Sequence, residues 1–178
     1  GIEPIVRHLK VHDLHTTVGV DLLTVTPADH GGNCVLIVIV VFYSKYVYLY
    51  PAKDYTADTI AKALFKFFCT YGLFTKIHSD PGSNLTSETI RLLHKWFGIE
   101  HVFSLVDRHE SNGVEGTNKQ VLRHLRALVA DERIKDRWSE DDVLPIVAHF
   151  LNAEVNSETG MIPLEAHFGS RSMMYHVL

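Results

Sequence analysis

The chain has 178 residues, 46% hydrophobic and 21% charged, with 11 Gly and 6 Pro, which is enough apolar material for one mid-sized globular domain and excludes disordered or collagen-like chains. A formal charge of −4 argues against holding nucleic acid by bulk electrostatics, so any such role must rest on a local site. The longest apolar run, Cys34 to Phe42, is about half of what a membrane helix needs, and two cysteines, Cys34 and Cys69, make neither a disulfide framework nor a zinc cluster. These features predict a soluble, membrane-free, intracellular protein, and the start without Met or a signal-type segment reads as a piece of a longer one.

Residues 1–15 carry His8, His12 and His15 without periodic pattern and read as a linker into a single domain spanning 16–178. Thr17 to Val25, Asn33 to Phe42 and Lys45 to Pro51 read as three strands separated by short polar turns, an antiparallel meander. The period then becomes helical. Ile60, Leu64, Phe67, Phe68 and Tyr71 share one face, Thr56 is the expected cap and Gly72 the expected stop. Cys69, on this apolar helix, is expected in the core.

Phe74 to Ser79 reads as a strand entering the turn Asp80-Pro81-Gly82-Ser83. Thr86 or Ser87 then starts a helix with Ile90, Leu93 and Phe97 inward, closed by Gly98. Ile99 to Phe103 reads as a fifth strand, Ser104 to Gly113 as a polar loop, and Val114 to Ala130 as a long helix. A last helix is expected near Asp142, because Pro145 is tolerated only in a first turn. Strands in series followed by alternating strands and helices predict an α/β fold, a five-stranded mixed sheet with helices on both faces.

Three acids in this pattern are costly or well placed. Asp21 interrupts an apolar strand, where an ionised group loses hydration and needs a compensating partner, a Lys or Arg, or an outward position on an edge strand. Asp80 stands where a strand gives way to Pro-Gly; functional groups gather at such strand ends, although Asp before Pro-Gly is also ordinary turn chemistry. Glu115 falls in the first turn of a helix, where the helix dipole alone would favour it. Taken together, with 58 residues between the first two and 34 between the last two, the acids point to convergence on divalent metal. Oxygen-only ligands select Mg²⁺ or Mn²⁺ over zinc. Two such ions about 4 Å apart would clamp a phosphodiester.

The blocks around these acids resemble the catalytic core of retroviral and LTR-retrotransposon integrases, of the Ty3/gypsy type. They are Val18-Gly19-Val20-Asp21, Phe42-Tyr43-Ser44-Lys45 with Pro51, Thr56-Ala57, His78-Ser79-Asp80-Pro81-Gly82-Ser83 with Thr86-Ser87, and Ser111-Asn112-Gly113-Val114-Glu115-Gly116-Thr117-Asn118. Asn156, Thr159-Gly160, Pro163-Leu164-Glu165 and Phe168-Gly169 extend the likeness toward the end of the chain. The interval between the second and third acids is one residue shorter than is usual in the family. Gly116 and Leu85 stand where Arg and Phe are frequent.

The resemblance implies an RNase H-like fold and an Asp21, Asp80, Glu115 triad holding two Mg²⁺ or Mn²⁺ ions, with Asp21 bridging both. It implies a polynucleotidyl transferase and nuclease that trims DNA ends and joins them to target DNA, with element ends and target DNA as partners, a homodimer or higher oligomer as the assembly, and nucleus or cytoplasm as the location. Lys119, Arg123 and Arg126, at helical spacing after Glu115, are the expected phosphate contacts, with a solvated helix face as the alternative. His8, His12 and His15 cannot form the family's separate His/Cys zinc domain, because no Cys precedes Cys34. His78, His94, His101 and His109 read as surface or hydrogen-bonded histidines, and Trp96 and Trp138 as packing residues. Two other readings share the fold: a transposon-derived host module that binds DNA or protein without chemistry, and an RNase H-like nuclease without strand transfer.

Overall fold

Residue patterning resolves into one mixed sheet in the computed structural model, which describes residues 17–72, 74, 76–79, 85–98, 104–107, 123–124, 126–127 and 131–169. The chain order is β1 (Thr17–Thr24), β2 (Val35–Val41), β3 (Val47–Ala52), α1 (Ala57–Tyr71), β4 (Lys76–Ser79), α2 (Ser87–Phe97), β5 (Ser104–Asp107), α3 (Leu144–Ala153) and α4 (Pro163–Phe168). The strands lie in the order β3-β2-β1-β4-β5. β1, β2 and β3 pair antiparallel, whereas β4 runs parallel to β1 and β5 parallel to β4.

β2 is the near-continuous apolar run, and its place between β1 and β3 explains that composition, since both of its faces are covered. Val35, Ile37, Ile39 and Val41 face α1 and α2 together with Val18, Val20 and Ile77. Leu36, Val38 and Val40 face the other way, against Val47, Leu49, Trp138 and the α3 residues Leu144, Val147 and Leu151. Helices therefore cover both faces, as the alternation predicts. Each fully buried Ile, Leu or Phe in these layers is worth about 1.5–3 kcal/mol relative to exposure.

α1 begins and ends where its sequence dictates. Thr56 Oγ1 accepts the Thr59 amide, and the Gly72 amide bonds the Phe68 carbonyl. α2 ends on Gly98 in the left-handed region at φ 65°, a conformation that costs a residue without a side chain least. α3 carries Pro145 in its first turn, two residues later than expected from Asp142.

Four expectations require correction. Cys69 is exposed: Phe67 and Phe68 occupy the inward face, and one further step of 100° carries position 69 to solvent. β4 starts at Lys76 rather than Phe74, although Phe74 is buried in the α-side core. β5 lies at Ser104–Asp107, inside the expected polar loop, because the parallel ladder sets Leu105 opposite Ile77 and Val106 opposite His78; residues 99–103 lie outside the described residues. Finally, α3 is not the last helix, for α4 follows it. Among the described residues, no helix is long and apolar enough to cross a membrane.

Candidate active site

β1 carries Asp21, the one member of the expected triad that lies within the described residues. Asp21 sits opposite Val38 in the β1–β2 ladder and is 9% exposed, a burial that few carboxylates accept without compensation. Strand alternation puts Val18 and Val20 on the α1 face, so Asp21 shares the opposite face with Leu23 and Val38, toward Trp138 and α3. It is therefore an inward-facing acid near the carboxyl half of a central strand, not an edge residue.

Beside it, the parallel register sets Thr17, Val18 and Gly19 of β1 opposite Lys76, Ile77 and His78 of β4. Asp21 thus lies two residues beyond Gly19, and Asp80 is the second residue after His78 in the chain. Asp80, Glu115 and Lys119 themselves lie outside the described residues, as do His8, His12, His15, His101 and His109. Arg123 and Arg126 are helical and exposed, a disposition open to phosphate or to solvent. Among the described residues, no group of three or more His, Cys, Asp or Glu is gathered as a metal site.

One feature near the carboxylate escapes a reading by residue type. The Phe42 and His78 rings meet at 4.8 Å with their planes at 53°. Phe42 is fixed because its amide donates to the Thr17 carbonyl at 3.0 Å. The two rings reach each other over β1, which lies between their strands, and Gly19, opposite His78, presents no side chain there. The pair caps the sheet face two residues before Asp21. In the sequence the two rings fall in separate blocks, Phe42-Tyr43-Ser44-Lys45 and His78-Ser79-Asp80, which periodicity cannot bring together.

The acid at this junction offers hard oxygen donors, suited to Mg²⁺ or Mn²⁺. The Asp29 cluster is structural. Burial opposes ionisation of Asp29, but hydrogen bonds from Ser139, Asn33 and the backbone amides of Asn33 and Gly31 outweigh it and hold its carboxyl below the usual range. That cluster ties the β1–β2 loop to the segment before α3, as does the bond between His30 Nδ1 and the Asp136 carbonyl at 2.7 Å.

The family model described as integrase core domain matches residues 15–109, a span that includes Asp21 and Asp80 and stops short of Glu115. Similar proteins include the retrovirus-related Pol polyprotein from transposon 412 of Drosophila melanogaster, 26% identical over 87% of this chain and 12% of the relative. The Pro-Pol polyprotein of simian foamy virus type 3 is 31% identical over 84% of this chain and 13% of the relative. The chain thus spans about an eighth of the length of these relatives. Among solved structures, the catalytic core domain of BIV integrase superposes with a TM-score of 0.63 at 20% identity, covering 90% of this chain and 99% of that one. The HTLV-2 integrase catalytic core domain in complex with magnesium, in a trimeric form, gives 0.63 at 18% identity, covering 86% and 96%. The mixed α/β fold is that of these RNase H-like cores.

Proposed function

This chain belongs to the integrase core domain family, and from that premise we propose that it is a metal-dependent polynucleotidyl transferase acting on DNA ends through Asp21, Asp80 and Glu115. The observation that carries the reading is Asp21 itself, a buried carboxylate on a central strand, facing inward beside the parallel β4 whose chain leads to Asp80.

Three carboxylates form an all-oxygen set that fits Mg²⁺ or Mn²⁺. When bound, such ions supply Lewis-acid polarisation of a phosphodiester and favour the ionised form of an attacking water or hydroxyl. The chain's own contribution is placement. The β1–β2 ladder fixes Asp21 along the strand, and its burial keeps bulk water from competing for the carboxylate. Arg123 and Arg126, exposed on the helix that follows Glu115, supply phosphate contacts that orient DNA without reading its sequence. The assembly is a homodimer or higher oligomer acting on element ends and target DNA.

Incubation with duplex ends and a target duplex in Mg²⁺ or Mn²⁺ tests the reading. Trimmed and joined products are expected from the wild type, and none from Asp80→Asn with its fold intact by circular dichroism. Activity in that variant, or in EDTA, would overturn the assignment. Trimming without joining would favour the plain nuclease.

A further inference from the structure

α4 meets the sheet through two neighbouring rings, His167 and Phe168, the latter edge-on to Tyr46 at 5.5 Å. The His167 ring stacks on Tyr46 at 4.8 Å with planes at 21°, and on Tyr43 at 6.0 Å with planes at 24°. Tyr71 of α1 meets it edge-on at 5.9 Å. Nδ1 lies 3.2 Å from Oγ of Ser44, a residue wholly removed from solvent, and the Tyr43 hydroxyl donates to the His167 carbonyl at 3.4 Å.

The Ser44 hydroxyl has one proton to place. Its oxygen accepts the Tyr46 amide at 3.2 Å, and for a proton so buried Nδ1 is the acceptor in reach among the described residues. The bond then requires a lone pair on Nδ1, hence a neutral ring with its proton on Nε2. A second ring proton would turn the Ser44 hydroxyl away and leave a charge among aromatic rings. The titratable groups facing the ring are the phenols of Tyr43, Tyr46 and Tyr71. Lys45, in the same turn, directs its ammonium to Glu158 at 3.9 Å; Glu165 is on α4 itself. Among the described residues, no carboxylate pairs with the imidazole to offset a charge.

We propose that α4 is a proton-sensitive strap: neutral His167 holds it against the β2–β3 turn, and protonation of the ring releases it. The strap has something to open. A groove of about 570 Å³ runs between β3, α1 and α3, and its walls include Tyr46, Tyr71 and Asn152 together with Leu164 of α4. Tyr46 and Tyr71 thus serve the latch and the groove at once. Aromatic faces attract cations, which opposes release. Desolvation opposes protonation, and it holds the His167 pKa below its ordinary 6.5. Because the folded value is depressed, docking is at full strength above 6.5 and weakens as pH falls below it.

Hydrogen exchange of the 163–168 amides in the full chain, corrected for intrinsic rates, tests the strap from about pH 7.5 to about pH 5.5. Protection of α4 should fall as pH drops below 6.5, by up to about tenfold per pH unit, while α3 protection holds. His167→Phe keeps an aromatic ring, cannot be protonated and retains Glu158 and Glu165; its α4 protection should not change over the same range. Equal loss in that variant, or constant protection in the wild type, would overturn the strap. The wild-type ring titration, read by NMR, gives an answer even if the variant fails to fold: a His167 that gains its proton above pH 6.5 would mean that the aromatic cage holds the cation, and the proposal would fall.

Discussion

Among the described residues, Thr89 Oγ1 and Trp138 Nε1 are buried polar atoms without a hydrogen-bond partner, and each costs desolvation that no bond returns. Thr89 is 0% exposed on α2, where valine has nearly the same shape and equal branching. Thr89→Val should therefore raise the unfolding free energy by about 1 kcal/mol, measured by urea titration. Asp80→Asn makes the opposite kind of case. If three carboxylates converge as proposed, their repulsion disfavours folding without metal, and the neutral amide should raise metal-free stability at pH 7 by about 1 kcal/mol. With Mn²⁺ the order should reverse, because an ion that binds the folded wild type raises its melting temperature and the variant responds little. Paired melts in EDTA and Mn²⁺ decide it. A destabilised variant that still responds to metal would place Asp80 against a structural cation instead.

Caps and covered faces decide the elements. Thr56 Oγ1 accepts the Thr59 amide at 3.3 Å and donates to Asp54 at 3.0 Å, so Thr56→Ala should cost about 1 kcal/mol, seen as a lower denaturant midpoint with an unchanged slope. α1 was legible in the sequence because its cap, its stop and its apolar face all lie within one stretch of chain. β2 was legible too, as a run too short for a membrane and too apolar for an edge. α4 was not. Its six residues carry no sustained period, and what holds it are contacts across the chain, such as His167 with Ser44 across 123 positions and Phe168 with Tyr46. β5 was misplaced for a similar reason, since its register is set by β4 rather than by its own alternation. At the site, Asp21 was visible as an acid where an apolar residue belongs. The Phe42–His78 cap was not, because only the sheet order brings its two rings together.

For the molecule as a whole, pH should act in two separated steps. His167, depressed by burial, removes stability as pH falls below 6.5. The carboxyl of Asp29, depressed by its hydrogen bonds despite burial, contributes stability present above 3.8 and lost as pH falls through its lower folded value. Asp131, paired with Arg133 and brought down to about 2, is too exposed to add much. Urea midpoints from neutral to acid pH should therefore hold above 6.5, decline to a shoulder, and decline again below 3.8. In His167→Phe the first decline should be missing. Self-association is expected at micromolar concentration, since Ile146, Phe150, Val155, Met161 and Phe168 leave apolar surface uncovered; sedimentation showing monomer alone would remove the core as the source of assembly.

Asn152 has a consequence beyond the groove it lines. Its amide donates to the Val47 carbonyl and accepts the Val47 amide, both at 2.8 Å, on the side of β3 that no strand occupies. One side chain thus imitates a neighbouring strand. Two residues on, Leu49 presents the next outward pair of backbone groups, and Pro51 after it has no N–H to offer. Among the described residues, the β3 margin of the sheet is thereby reduced to a single residue's ladder positions, too short to template an extended chain. Replacing Asn152 with leucine would restore a run of unpaired groups from Val47 to Leu49, and the change should show less in the melting temperature than in the concentration at which the protein begins to form β-rich aggregates. A side-chain amide from a helix far along the chain is thus expected to guard colloidal stability.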